Sequence, residues 1–200
     1  MPRKGLNVSA VTGSDEMRSA TPAAGSRAAA LVRAAVLAAA GLGITFTATL
    51  HEQLVFDRSV VAVTFAALAA SHLYSWAVQR RAERTPARVL LAAVALAAAI
   101  AMLVVATPAA FALVLAAWAL VSGLLEFIGG AVGGATKQDA TLMGATGVLL
   151  AVLALLFRDD QVATLGFFGA YAIIGAVFLG ISAFDGTRRS ATDPAAAPGR

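Results

Sequence analysis

Between residues 89 and 132 the chain runs for more than forty residues with a single charged side chain, Glu126. As one helix this stretch would be about 65 Å long at ~1.5 Å per residue. That is roughly twice the ~30 Å of hydrocarbon in a bilayer, so the stretch has to fold back on itself. The break belongs at Thr107-Pro108, because proline removes a helical N–H yet suits the first turn of a new helix. Helices rather than strands are required. Lipid offers the backbone no hydrogen-bond partner, and the run is too long and too uniformly apolar for the alternating strands of a barrel.

The rest of the chain has the same character. Of its 200 residues, 60% are hydrophobic and 13% charged, where a soluble domain carries about a quarter charged. Six apolar spans are expected, at about 30–50, 60–79, 89–106, 109–132, 141–157 and 162–184. They form an all-α integral membrane bundle over 28–184. Residues 1–27 and 185–200 read as disordered polar tails. The first span follows a long polar tail, but it exceeds the ~7–15 residues of a signal-peptide core and further spans follow it. An uncleaved helix is therefore expected, with cleavage after the Ala-rich part as the alternative.

Basic residues set the orientation. Of the fifteen Lys and Arg residues, all but Arg58 and Arg158 fall on one side of these spans, and those two stand beside Asp57, Asp159 and Asp160. The positive-inside rule then places both termini and the two basic loops, "QRRAERTPAR" and the one with Lys137, in the cytoplasm. Tyr74 and Trp76, just before that loop, sit where interfacial anchors sit. The net charge of +4 is thus a topology signal, and nucleic acid is not an expected partner. Arg80, Arg81, Arg84 and Arg88 are also placed to meet anionic lipid headgroups, at about 1 kcal/mol per residue.

An internal repeat follows. "FALVLAAWALVSGLLEFIGGA" and "TLGFFGAYAIIGAVFLGISAF" align with Trp118 over Tyr171, and with the small residues Ser122 and Gly175 four positions on. The segment ending "SHLYSWAVQRR" fits the same place more weakly, with His72 opposite Ser122. The chain reads as three helical hairpins. The segments "AWALVSGLLEFIGG" and "FFGAYAIIGAVFLGISAF" resemble the paired helices of HdeD-like membrane proteins, over roughly residues 90–184. The resemblance implies a six-helix bacterial inner-membrane protein linked to acid resistance, with no catalytic residues. The first hairpin, with "TFTATLHEQLVFDRS", departs from that pattern.

Few side chains offer chemistry. Glu126 lies on a stripe with Ala119, Ser122, Gly130 and Gly133, which turns it toward a neighbouring helix. One reading is a proton-sensitive carboxyl. The other is an interhelical hydrogen bond, or snorkelling toward Arg80 or Arg81. His72 reads as a sensor of pH or as a packing residue, and Ser122 as a packing polar group. His51 and Glu52 are chain neighbours that share no helical face and have no third ligand, so no metal site is expected. Gly144, Gly147, Gly166, Gly169, Gly175 and Gly180 read as helix-packing positions, and Ala172, Ala176 and Gly180 as a small-residue ridge. "GGAVGGATKQD" lacks the spacing of a phosphate loop and follows a membrane helix. With no cysteine and no grouped nucleophile and base, the expectation is a protein without enzymatic activity or cofactor. The resemblance to HdeD-like proteins implies work in envelope stress or acid tolerance, with the bilayer, a second copy or a membrane-protein partner. The alternative is a small transporter or channel with Glu126 and His72 lining a polar path.

Overall fold

A computed structural model of the chain describes residues 21–51, 53–79, 84–132 and 137–191. These form six α-helices, and no strand occurs among them: α1 (Thr21–Phe46), α2 (Leu54–Val78), α3 (Pro86–Val104), α4 (Pro108–Val132), α5 (Lys137–Leu156) and α6 (Gln161–Ala191). A single 3-10 turn, Ala48–Leu50, joins α1 to α2. Five of the helices are long and apolar enough to cross a membrane. The sixth, α5, has a shorter apolar stretch, Ala140–Leu156.

The ends of these helices follow from local chemistry. The Thr107-Pro108 break is present: α3 stops at Val104, Pro108 opens α4, and the Thr107 hydroxyl accepts a hydrogen bond from the Ala110 amide at 3.2 Å. At the next turn Asp160 Oδ1 accepts from the Ala163 amide at 2.9 Å, capping α6. Helices α1 and α6 differ most from the sequence reading, and α2 starts at Leu54, ahead of the expected 60. Helix α1 begins at Thr21, inside the stretch assigned to the tail, and stops at Phe46 rather than at residue 50. Its early turns are rich in alanine, the strongest helix former. At its far end the Thr45 and Thr47 hydroxyls donate to the carbonyls of Gly41 and Gly43, and the chain leaves α-geometry for the 3-10 turn. Helix α6 likewise runs past Phe184 to Ala191. Residues 1–20 and 192–200 lie outside the described residues.

Each helix packs against its neighbour in the chain, and α6 closes back on α1, so the six form a ring. The turns α1–α2, α3–α4 and α5–α6 share one end. There Gln161 donates to the carbonyl of His51 at 3.3 Å, and Arg58 Nη1 donates to the carbonyl of Val105 at 2.6 Å. The opposite end carries Arg27, Arg84 and Arg88. The Arg84 guanidinium lies 4.5 Å from the centre of the Trp76 ring and donates to the carbonyls of Gln79 and Ala77.

The centre of the ring is filled by aromatic rings. Phe65 of α2 contacts Trp118 of α4 and Phe168 of α6, at centroid separations of 4.5 and 5.7 Å. Trp118 meets Tyr171 edge to face at 5.9 Å. Phe65, Phe111, Phe168 and Leu115 are fully buried, whereas Val63, Leu96, Leu124, Val177 and other large apolar side chains point outward. An apolar exterior around a tightly filled interior is the arrangement that lipid rewards.

Small residues allow the close helix approaches. A Cβ added at Gly123 would meet the Gly144 carbonyl at 2.9 Å, and one at Gly147 the Ala119 carbonyl at 3.0 Å, so α4 and α5 touch nearly backbone to backbone. Gly41 of α1 faces the Gly169 carbonyl of α6 at 3.1 Å in the same sense, and Gly175 is packed by Leu37 and Met143. Gly166 and Gly180 do not fit the packing expectation: nothing lies within 4 Å of an added Cβ at either. The ridge on α6 is therefore Ala172 and Ala176, both buried. It ends before Gly180, where an added side chain would meet open space.

Candidate functional site: a buried ion pair and a closed histidine pair

Helix α4 places Ser122 and Glu126 one turn apart on its inward face. Glu126 meets Arg33 of α1, with Nη2 2.6 Å from Oε1, and both side chains are about nine-tenths buried. Arg33 Nε has no hydrogen-bond partner of its own. The Tyr171 phenol of α6 interacts with the same guanidinium. Arg88, in the first turn of α3, interacts electrostatically with Glu126 and Arg33. Four helices thus direct charge or hydroxyl groups at one point. An ion pair taken out of water has to be matched in this way, since a lone charge there is costly.

His72 of α2 is buried beside this group and feels the charges of Arg33 and Arg88. Its Nδ1 has no partner, and neither has Ser122 Oγ. The nearby buried serines differ, because their own helix satisfies them: Ser71 donates to the Leu68 carbonyl and Ser75 to the Ser71 carbonyl. Glu126, His72 and Ser122 are therefore gathered in one half of the ring, as candidates read from sequence. The partner of Glu126 is Arg33, which sequence reasoning counted only as a topology charge. Arg80 and Arg81, the snorkelling partners considered for Glu126, lie outside the described residues. Arg84 is engaged with Trp76 and backbone carbonyls, and Arg88 is half-buried.

A second polar cluster closes the other end, and sequence reasoning missed it. His51 Nδ1 is 2.7 Å from Asp57 Oδ1, and its Nε2 is 2.7 Å from the Ile44 carbonyl. Gln161 Nε2 donates to Asp57 Oδ2. Asp57 is fully buried and His51 nearly so. Both ring nitrogens face acceptors. The signal available in the sequence was a histidine and an aspartate six residues apart across the first turn, with Asp57 in the first turn of α2. Among the described residues no group of three His, Cys, Asp or Glu side chains could hold a metal ion.

An apolar groove of about 470 Å³ opens between α1 and α2, lined by Val36, Ala40, Gly43, Val60, Val63 and Thr64 among others. Neither Glu126 nor His72 borders it. Taken together, the apolar exterior, the helix lengths and the paired interior charges define a multi-pass helical membrane protein. Comparison of the chain with protein-family models, curated proteins and solved structures finds no match.

Proposed function

We propose that this is a non-enzymatic protein of the bacterial inner membrane, resembling HdeD-like proteins, that serves in acid tolerance or envelope stress. On this reading all six helices span the bilayer as three hairpins, with both termini in the cytoplasm. The seventeen apolar residues of α5 stand at the short end of the ~17–25 used by spanning helices. The meeting of Trp118 with Tyr171, the two residues aligned by the repeat, supports the hairpin reading. The observation that carries the functional reading is the Arg33–Glu126 pair. The one carboxylate inside the fourth span is matched by a cation from another helix, the arrangement of a packed bundle rather than of a reacting centre.

The test is survival of cells lacking the protein after an acid challenge. Restoring the wild-type chain is expected to raise survival, and E126Q to raise it less. Equal survival with and without the protein would overturn the acid-tolerance reading. A reporter fused after Arg84 is expected on the cytoplasmic side, and a periplasmic signal would reverse the orientation. Association with a second copy or another membrane protein fits the open groove between α1 and α2.

The second reading is a small transporter or channel whose path is lined by Glu126 and His72. The unpartnered His72 Nδ1 and Ser122 Oγ favour it. It predicts a proton or solute flux in proteoliposomes that E126Q abolishes.

A further inference from the structure

The groove between α1 and α2 is open on its outer side. Ala39, Ser59 and Val63 form an exposed rim, and Ala40 and Thr64 a buried floor. The two helices stand apart here. A Cβ added at Gly43 would meet nothing within 4 Å, whereas one at Gly41, two residues earlier, would press the Gly169 carbonyl of α6 at 3.1 Å. Small side chains from both helices, Ala39 and Ala40 on α1 and Ala67 on α2, leave the space clear.

Its length matches one leaflet. The groove starts at Gly43 and Phe56, close to the turn that joins α1 to α2, and reaches Val36 and Ala67. Those two residues stand near the middle of their spans, Arg27–Phe46 and Leu54–Val78. From Phe56 to Ala67 is about 16 Å at ~1.5 Å per residue. Half of the ~30 Å hydrocarbon layer is ~15 Å. The groove volume of about 470 Å³, spread over that ~16 Å, gives a mean cross-section of about 30 Å². A helix, ~10–12 Å across with its side chains, is too wide to enter, and a single extended hydrocarbon chain is not.

The lining fits the same occupant. Of the described residues that line the groove, none is charged. Its two hydroxyls donate within their own helix, Ser59 to the Val55 carbonyl at 2.6 Å and Thr64 to the Val60 carbonyl at 2.8 Å. A polar ligand would give up hydration for no free donor and no counter-charge. Hydrocarbon gives up nothing, and it restores the dispersion contacts that an empty groove forfeits. We propose that the groove holds one acyl chain of a bilayer lipid, entered from the leaflet beside the α1–α2 turn, and that it selects this lipid by its tail and not by its headgroup. The site goes beyond the acid-tolerance reading and rests only on the chain spanning a membrane.

The test uses the full chain in vesicles doped with a phospholipid that carries a photoactivatable diazirine midway along one acyl chain. After irradiation, peptide mapping is expected to find adducts at Ala39, Gly43 and Val63 several-fold above those at Ile100, an outward-facing residue of α3 in the same leaflet. Equal labelling at Ile100 would overturn a held chain. G43L fills the groove from a position with no neighbour to displace. It is expected to cut labelling at Val63 about tenfold, the equivalent of excluding roughly two methylenes. G166L, equally open, is expected to leave it unchanged. Where G43L lowers the unfolding temperature, A39L narrows the same groove from its exposed rim. Undiminished labelling in a folded variant of either kind would overturn the site. Phosphatidylglycerol and phosphatidylcholine probes are expected to label alike, and a strong preference for one would overturn selection by the tail. The chain has no cysteine, so V63C carries a unique thiol. Disulfide-linked dimers of V63C in the vesicles would overturn the proposal in favour of a second copy. None of these outcomes bears on acid survival, so the two readings fail separately.

Discussion

Arg33 and Glu126 face each other across 2.6 Å, joining α1 to α4, two helices that are not neighbours in the chain. The pair adds a charged contact to the inward face of α1, which also buries Leu37, Ala40 and Ile44.

Removing one partner should therefore cost more than removing both. E126A leaves the Arg33 guanidinium buried and unmatched, at a cost of about 3–5 kcal/mol. The double variant R33M/E126L replaces the pair with apolar side chains of similar bulk and is expected to recover most of that loss. Thermal or SDS unfolding of purified protein measures it. Strictly additive losses in the double variant would mean that the two charges do not depend on each other.

The His51–Asp57–Gln161 cluster ties the first turn to the start of α6. D57N turns one of the two partnered carboxyl oxygens into an amide donor, and a loss of about 1–3 kcal/mol is expected. Local opening is the sharper readout. Hydrogen exchange should rise at the α1–α2 turn and at the first turn of α6 and stay unchanged at the Arg84–Arg88 end. A uniform rise over all helices would contradict a local clasp.

Glycine positions divide into two classes. G123A and G147A push a methyl group against backbone carbonyls 2.9 and 3.0 Å away, so α4 and α5 must separate; a loss of about 1–3 kcal/mol is expected. G166A and G180A meet open space and are expected to stabilise slightly, by up to about 1 kcal/mol, through better helix propensity. The same unfolding assay ranks all four, and an equal loss at Gly180 would mean that something covers that face.

Truncating Trp118 removes the ring that Phe65, Phe168 and Tyr171 all touch. W118A is expected to cost about 3–5 kcal/mol, and W118F much less, because it keeps an aromatic edge for Tyr171.

Local grammar was legible in the chain and long-range pairing was not. The Thr107-Pro108 break could be read because proline acts on its own backbone, whatever surrounds it. The inward turn of Glu126 could be read because the small residues around it recur at helical spacing. Its partner could not, because Arg33 stands in another helix and no periodicity relates the two. Arg33 also sits where topology charges sit, near the start of a span. The same limit hid Asp57: the acid beside His51 in the chain is Glu52, while the bonded carboxylate belongs to the next helix. The start of α1 was placed late because a polar, alanine-rich stretch carries a helical propensity that composition alone reads as tail.

Helix α6 completes the ring by laying Gly169 against Gly41 of α1, and Arg27 over the ring of Phe184 at 4.7 Å. These are the first and last helices of the chain. During synthesis α1 enters the bilayer with Arg33 unmatched until α4 follows, and its α6-facing side stays bare until every other helix has been made. Its true neighbour is the last to arrive, so ring closure is a late, long-range step. A ribosome stalled before α6 would leave α1 with an open seam of glycine and small side chains, the surface that quality-control proteases and stray helices meet first.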